Sequence, residues 1–300
     1  STSFAYSGQL DSATKTRGAI TYLTPPIVEV TAYNAQSQRT QNYVNDSGQN
    51  YQKLTVANLH SSIVSPATDD VATGVDGSLL PLSALFSQGT LSTKDLNALP
   101  LDVDLPNGTM QYQLSSMDSF NYVRSSNAMV APFTADFDIT LSGISDNDNV
   151  TSISNAIVSP AGIEIRYGRL KLDNSFGPET ANLPQPIWAQ YFNGNQFVTS
   201  PNDNCTQVSE NQLNLTTNTL TPGQTSVLGG SGILNSGFSR QIELQAPGAG
   251  IQGKIDIEFN AESWLMFDWD GDLVEDNPFA IATFGRFRGN DRVIQWREVN

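Results

Sequence analysis

Four aspartates near the end of the chain have the spacing of a cation-binding loop. Asp268, Asp270, Asp272 and Asp276 occupy positions 1, 3, 5 and 9 of an acidic segment. Carboxylates at this spacing can converge on one point in a tightly turned loop, and Ca²⁺ takes six to eight oxygen ligands at about 2.3–2.6 Å. The sequence therefore predicts a calcium site, and the alternative interpretation is a solvated turn with its charges in water.

The acidic segment departs from an EF-hand at two positions. Position 6 is Leu273 instead of glycine, and position 12 is Phe279 instead of glutamate. We expect any calcium affinity to be weak, because an exposed loop is poorly preorganised for its ligand.

The last fifteen positions of the chain contain a cluster of arginines: Arg286, Arg288, Arg292 and Arg297. Arg286 and Arg288 would share one face of a strand and could make bidentate contacts with carboxylates. One interpretation is a docking patch for an acidic partner protein or glycan, formed by Arg286, Arg288 and Arg292. The other is a set of salt bridges to neighbours such as Asp291 and Glu298.

Two aromatic residues, Trp188 and Tyr191, could bind a sugar, because aromatic rings offer large apolar contact surfaces with a polar tip. This pattern favours a carbohydrate-binding module as an alternative function, although half-buried sandwich strands contain such residues routinely. A glycan hydrolase is a further alternative, since among 30 acidic residues a suitable carboxylate pair can be imagined. No motif marks such a pair, and we expect a non-enzymatic protein.

The charge balance excludes some classes of partner. The chain has 30 acidic and 15 basic residues and a formal net charge of −15. Nucleic acids and anionic membrane surfaces both require basic patches, so neither is an expected partner. No apolar run is long enough to span a membrane, and we expect any signal peptide to have been removed or to have lain far upstream. This composition fits a protein outside the cytoplasm or in salty water and is typical of secreted β-rich proteins.

Single cysteine and histidine residues limit the chemistry further. With only Cys205 and His60, the chain can form neither an intrachain disulfide nor a structural zinc site. A catalytic pair would have to use His60, which we interpret as a surface histidine in a strand or turn.

Apolar residues alternate with polar ones in several segments, which predicts strands with one buried face. The clearest segments are 28–32, 135–141, 163–167 and 254–260, and an Asn-Gly pair predicts a hairpin over 189–198. The best helix candidate covers 92–99, with Ser92 or Thr93 as its cap. We therefore predict an all-β chain of two Ig-like or jelly-roll-like antiparallel β-sandwich domains, 1–155 and 156–300.

An ordered series of segments resembles a known bacterial family. The segments are 27–35, 40–43, 131–133, 146–150, 165–170, 174–177, 189–191, 203–206, 264–265, 268–269, 282–285, 288–292 and 296–298. In this order they are similar to the C-terminal domain of unknown function of MshQ-like proteins, which are encoded with type IV pilus machinery.

The resemblance implies an exported, surface-exposed protein associated with pili, with no assigned reaction. Pilins, other pilus or surface proteins and surface glycans are the partners it implies. The spacing of the four aspartates also resembles the calcium loop of pilus-tip proteins. Cys205 stands where the family keeps a cysteine, which implies a bond to a region upstream; the alternative is a buried, small apolar residue.

Overall fold

The computed structural model describes residues 4–43, 45–46, 49–68, 74, 76–77, 79–93, 108–126, 129–160 and 162–285. The chain divides into two compact units, one ending at Arg166 and the other beginning at Tyr167. The boundary predicted from the sequence lies between residues 155 and 156. The structure assigns the intervening strands to the N-terminal unit because they pair with strands of that unit.

The strands of the N-terminal unit are β1 (Phe4–Tyr6), β2 (Ile27–Thr31), β3 (Asn45–Asp46), β4 (Gln49–Asn50), β5 (Ile63–Thr68), β6 (Leu82–Leu85), β7 (Thr90–Thr93), β8 (Thr109–Gln113), β9 (Ser119–Tyr122), β10 (Phe133–Thr134), β11 (Phe137–Leu141), β12 (Ala156–Val158) and β13 (Glu164–Arg166). They form the sheets β1-β13-β10, β12-β11-β5, β2-β8-β7, β6-β9 and β3-β4. In this unit β1 and β13 run parallel, and the other described pairs are antiparallel.

Aromatic rings fill the core of the N-terminal unit. Phe120 is 1% exposed, and its ring contacts those of Tyr22, Phe86 and Phe137 at centroid distances of 5.5, 5.7 and 4.7 Å. On β11 the predicted alternation holds, since Phe137, Ile139 and Leu141 are buried and the residues between them are partly exposed. Buried side chains of this size stabilise by about 1.5–3 kcal/mol each.

The strands of the C-terminal unit are β14 (Gly168–Leu172), β15 (Ser175–Gly177), β16 (Leu183–Pro184), β17 (Ile187–Phe192), β18 (Phe197–Thr199), β19 (Gln207–Ser209), β20 (Leu213–Thr217), β21 (Val227–Leu228), β22 (Ser231–Ile233), β23 (Phe238–Ser239), β24 (Glu243–Leu244), β25 (Gly253–Phe259) and β26 (Phe279–Phe284). Two short 3₁₀ turns, Glu210–Gln212 and Ser263–Leu265, complete it.

Two four-stranded sheets position the candidate site. One has the order β14-β17-β18 with β23 also paired to β17, and the other has the order β15-β26-β25-β20. Ile187 and Ala189 of the first sheet, and Ile255, Ile257 and Phe259 of the second, are fully buried. On β14 and β25 one face is therefore turned to a core and the other is half-buried or exposed, as in a β-sandwich.

The structure confirms the all-β fold and the four predicted strands, which correspond to β2, β11, β13 and β25. The hairpin is also confirmed: β17 and β18 pair antiparallel, and Gly194 adopts φ 98° in the connecting loop. Because glycine has no Cβ, Gly194 adopts this left-handed conformation without steric strain.

The helix prediction was wrong at its start, because Ser92 and Thr93 lie in β7. Residues 94–99 of that prediction lie outside the described residues. A six-residue helix instead runs from Val56 to Ser61, with Thr55 and Asn58 forming a capping box. An asparagine in place of the usual glutamate or glutamine made this signal easy to miss. No helix in the described residues has the length and apolar character needed to cross a membrane.

Candidate cation loop and neighbouring aromatic face

The acidic loop is closed at its base by a backbone bridge. The amide of Phe267 donates to the carbonyl of Asp276 at 3.1 Å, and the amide of Asp276 donates back at 2.9 Å. This pair of hydrogen bonds fixes the two ends of the loop side by side. The loop follows the 3₁₀ turn Ser263–Leu265 and leads into β26.

Asp268 organises the backbone within the loop. Its Oδ1 accepts hydrogen bonds from the amides of Gly271 (2.7 Å) and Asp272 (3.1 Å), and its Oδ2 accepts from Leu273 (3.0 Å). Aspartate side chains commonly bond to backbone amides a few residues ahead in tight turns. The loop is thus held in shape by its own carboxylate.

The carboxylates of Asp268, Asp270 and Asp272 converge. Each offers an oxygen that lies within 4.8 Å of the others. Two oxygens on opposite sides of a calcium ion would be about 5.2 Å apart at the longest usual bond length, so this spacing fits one shared cation. Asp270 and Asp272 are exposed and Asp268 is half-buried. The geometry is also compatible with the alternative interpretation of a hydrated turn.

Asp276 is electrostatically coupled to the other three aspartates. Partial desolvation, followed by the negative charges of Asp270, Asp272 and Asp268, raises the pKa of its carboxyl group. Among the described residues, none donates a hydrogen bond to this side chain. All four predicted ligands therefore belong to one region of like charge, in which a bound cation would relieve repulsion.

An aromatic cluster joins the loop to the outer face of the β14-β17-β18 sheet. The rings of Phe267 and Trp269 contact each other at 5.2 Å, and Phe267 contacts Phe197 of β18 at 4.9 Å. The guanidinium of Arg169 lies 3.7 Å from the centroid of Phe197 and 4.7 Å from that of Trp269. A change in the conformation of the loop would therefore alter the ring contacts of this cluster.

The structure does not bring Trp188 and Tyr191 together. They are three residues apart on the regular strand β17, so their side chains leave from opposite faces. Trp188 lies on the half-buried outer face, stacked on Phe238 at 4.1 Å, and its Nε1 donates to Asp173 Oδ2 at 2.6 Å. Tyr191 projects to the same side as Ile187 and Ala189.

The predicted docking arginines Arg286, Arg288 and Arg292 lie outside the described residues. His60 lies in the helix Val56–Ser61 instead of a strand or turn, and is half-buried. Its buried Nδ1 has no hydrogen-bond partner among the described residues.

Cys205 is exposed, which contradicts its interpretation as a buried apolar residue. Partial desolvation and the negative charge of Asp203 raise the pKa of its thiol. A free thiol with a raised pKa is a weak nucleophile at neutral pH.

A polar pocket in the N-terminal unit was not predicted from the sequence. It has a volume of about 410 Å³ and is lined by Asn58, Ser61, Ser62, Ser142, Gly143, Ser145, Asp146, Asn147 and Asn149. The Tyr43 hydroxyl donates to Asp146 Oδ2 at 2.7 Å beside it. Burial and this bond to a carboxylate raise the pKa of Tyr43 to about 12.

Arg169 and Phe238 were also missed, because neither stands in a recognisable motif. They become neighbours of Gln190 and Trp188 only through the pairing of β14 and β23 with β17. The sole local signal was Trp269, an aromatic residue between two aspartates.

Fold and loop together define a two-unit, all-β module that carries a candidate cation loop in its C-terminal unit. The chain belongs to the DUF6701 family: the model of the family's third domain matches residues 1–163, and that of its fourth domain matches residues 166–299. No curated protein and no solved structure matches the chain. The two matched segments correspond to the two compact units.

Proposed function

We propose that this chain is a non-enzymatic module of an exported bacterial protein that acts at the cell surface in adhesion or in the assembly of type IV pili, as in MshQ-like proteins. In this proposal Asp268, Asp270, Asp272 and Asp276 bind Ca²⁺, which braces the C-terminal unit. Its partners are pilins, other surface proteins or surface glycans. The all-β fold, the DUF6701 membership and the net charge of −15 are compatible with this role.

The observation that carries the calcium proposal is the convergence of three carboxylates on a loop closed at its base. Asp268 already fixes the turn, so less ordering is required on binding than in an open loop. A cation that binds only the folded state raises stability by mass action. Because Trp269 and Phe267 pack against Arg169 and Phe197, the loop would transmit this stabilisation to the sheet.

The first test compares the melting temperature in EDTA and in about 2 mM Ca²⁺ for the wild type and for Asp270→Ala. Asp270 is a suitable target because its Oδ1 accepts only one weak backbone bond, at 3.2 Å from Asp272 N. With a Kd of about 0.1 mM the expected stabilisation is about 1.8 kcal/mol, or a few degrees. The variant should lose this rise, whereas the exposed Glu29→Ala in the N-terminal unit should keep it. An equal rise in Asp270→Ala would refute the site.

Direct binding can be followed by Tb³⁺ luminescence excited through Trp269, which is 39% exposed and lies between two predicted ligands. We expect saturable emission that Ca²⁺ displaces and that Trp269→Phe removes. Trp188→Phe should retain the signal. Emission that is insensitive to both Ca²⁺ and Trp269→Phe would indicate adsorption elsewhere.

The cellular role requires a separate test in the organism that encodes the chain. We expect removal of the segment 1–300 to reduce either the number of surface pili or the number of attached cells. Purified chain should also retain the organism's major pilin in a binding assay. Unchanged piliation and attachment would overturn the proposed role, whatever the outcome of the calcium tests.

A carbohydrate-binding module is the second candidate function, and the half-buried Trp188 stacked on Phe238 favours it. The test is a glycan array with wild type and Trp188→Ala. Tyr191→Phe is the matched control, because Tyr191 lies on the opposite face of β17. The absence of any glycan bound above background would exclude this candidate.

A further inference from the structure

The outer face of the β14-β17-β18 sheet combines aromatic and cationic side chains. Across the strands, Arg169 is paired with Gln190, and Lys171 with Trp188. Trp188 is in turn paired with Phe238 of β23. Because paired residues in adjacent strands project to the same side, these five side chains share one face, which we call the aromatic-cationic face.

Arg169 is held rigidly on this face. Its guanidinium lies over Phe197 at 3.7 Å and close to Phe267 and Trp269 at 4.8 and 4.7 Å. Its Nε donates to Gln190 Oε1 at 3.0 Å. Stacking and this hydrogen bond fix the plane of the guanidinium before any ligand arrives, which lowers the entropic cost of binding.

No carboxylate forms an ion pair with Arg169 in the part of the chain that the structure describes. Its Nε is bonded to Gln190, and its two Nη atoms donate no hydrogen bond to a described residue. Burial lowers the pKa of this arginine to about 10. Partly buried charges are normally paired, so a fixed guanidinium with two open donors is complementary to an anion.

The charges around Arg169 are of both signs: Phe267 and Trp269, which contact its guanidinium, flank Asp268 of the acidic loop, and cationic side chains lie on the side of Trp188 and Phe238. Lys171 is neutralised by Asp173, whose Oδ1 lies 2.7 Å from its Nζ. Arg240 is exposed, and its guanidinium lies 5.4 Å from the centroid of Phe238. Among the described residues, no acid pairs with Arg240. Arg240 therefore lies beside the aromatic pair, and Arg169 lies on the same sheet face, paired with Gln190.

We infer that the aromatic-cationic face binds a glycan that carries a sugar carboxylate, such as a uronic acid. Arg169 receives the carboxylate through its two Nη atoms, in the bidentate geometry that guanidinium groups prefer. Trp188 and Phe238 supply an apolar surface for the sugar ring, and Arg240 contributes a second positive charge. This inference rests on the second candidate function and names its ligand class. It does not require bound calcium, although Phe267 and Trp269, which help to hold Arg169, belong to the loop segment.

The probe is tetragalacturonate, titrated by calorimetry in EDTA so that calcium cannot bridge ligand and protein. Its methyl ester, which has the same rings without charge, is the matched control ligand. We expect saturable binding of the acid and a loss of about tenfold or more for the ester, as for a hydrogen bond to a charged group. Equal binding of acid and ester would overturn the inference and leave a neutral carbohydrate-binding module standing.

Three variants test the named residues. Arg169→Gln should weaken binding by about tenfold or more, and Arg240→Gln by several-fold. Lys254→Gln removes an exposed charge from β25 in the other sheet and should leave binding unchanged. If Arg169→Gln does not fold, Arg169→Lys is tested in its place. The ¹⁵Nε resonance of Arg169 is then also followed in the wild type during the titration. A resonance that does not shift on saturation would refute contact with Arg169.

Poly-glutamate separates a sugar carboxylate from an acidic protein segment. Binding of poly-glutamate as tight as that of tetragalacturonate, with the same dependence on Arg169, would overturn the glycan class and indicate an acidic protein partner. If neither the acid, nor its ester, nor any glycan on the array binds, the inference and the second candidate function fail together. If neutral glycans bind through Trp188 but the acid shows no advantage, only the inference fails.

Discussion

Asp268 Oδ2 accepts a 3.0 Å hydrogen bond from the amide of Leu273, although Leu273 adopts the left-handed conformation with φ 71°. A left-handed backbone costs a residue with a Cβ about 1–2 kcal/mol. The carboxylate therefore compensates for backbone strain in the same loop in which it is a predicted metal ligand. This dual role allows the structural and the ligand functions of the loop to be separated.

The first prediction concerns the difference between Asp268 and Asp270 without metal. In EDTA, Asp268→Ala should destabilise the C-terminal unit by about 1–3 kcal/mol, because the amides of Gly271 and Leu273 lose their acceptor and the amide of Asp272 loses one of its two. Asp270→Ala should change stability little, since it loses one long hydrogen bond. Urea denaturation in EDTA measures the free energy of unfolding of both variants. Equal destabilisation by the two variants would contradict the assignment of Asp268 as the organiser of the loop.

The second prediction concerns the repulsion at Asp276. Its pKa is raised in the folded state, so the folded state binds more protons than the unfolded chain. The free energy of unfolding in EDTA should consequently fall as the pH rises from about 3.9, the ordinary value for aspartate, through the raised pKa. Asp276→Asn should raise the melting temperature in EDTA at pH 7 and weaken this pH dependence.

The same Asp276→Asn variant should show a smaller rise in melting temperature with Ca²⁺ than the wild type, because it lacks one anionic ligand. Stabilisation in EDTA together with an unchanged calcium response would place Asp276 in the charge cluster but outside the metal site.

The third prediction concerns the strain at Leu273. Leu273→Asn should stabilise the protein by about 0.5–1 kcal/mol, because asparagine tolerates the left-handed region better than leucine. Little packing should be lost, since the Leu273 side chain is 62% exposed. The exposed Leu79→Asn in the N-terminal unit is a control for the change in surface polarity. Thermal unfolding measures the stability of both variants. If Leu273→Asn shows no gain in melting temperature beyond that of Leu79→Asn, relief of strain is excluded.

The fourth prediction concerns the buried Asp118 of the N-terminal unit. Its Oδ1 accepts from Ser87 N at 2.7 Å, and its Oδ2 from the Tyr22 hydroxyl at 3.2 Å. Burial raises the pKa of Asp118, although these hydrogen bonds and the charge of His60 oppose the shift. Stability should therefore fall as the pH rises from about 3.9 through the raised pKa. Asp118→Asn should weaken this dependence while keeping an acceptor for Ser87.

The matched variant Asp118→Ala should lower the free energy of unfolding by about 1–3 kcal/mol, because the amide of Ser87 loses its acceptor. Denaturation between pH 4 and pH 7 distinguishes the two variants. A pH dependence that is identical in the wild type and in Asp118→Asn would show that another group titrates.

The alternating segments were predictable because a strand places successive side chains on opposite faces. Ile255, Ile257 and Phe259 are all fully buried, as their spacing requires. The loop aspartates were equally predictable, since four carboxylates within nine positions cannot lie far apart. Short elements were harder: the helix Val56–Ser61 has a weak capping signal, and Ser92, a plausible helix cap, lies in a strand.

The sequence by itself determined the all-β class, the strand faces, the Asn-Gly hairpin and the local acidic cluster, because each depends on residues close together in the chain. The tertiary structure alone decided that Trp188 is paired with Phe238 of β23. It also decided that Arg169 meets Phe197, Phe267 and Trp269. These contacts join residues 28 to 100 positions apart, and their register is set by burial of whole strand faces, which no local spacing encodes.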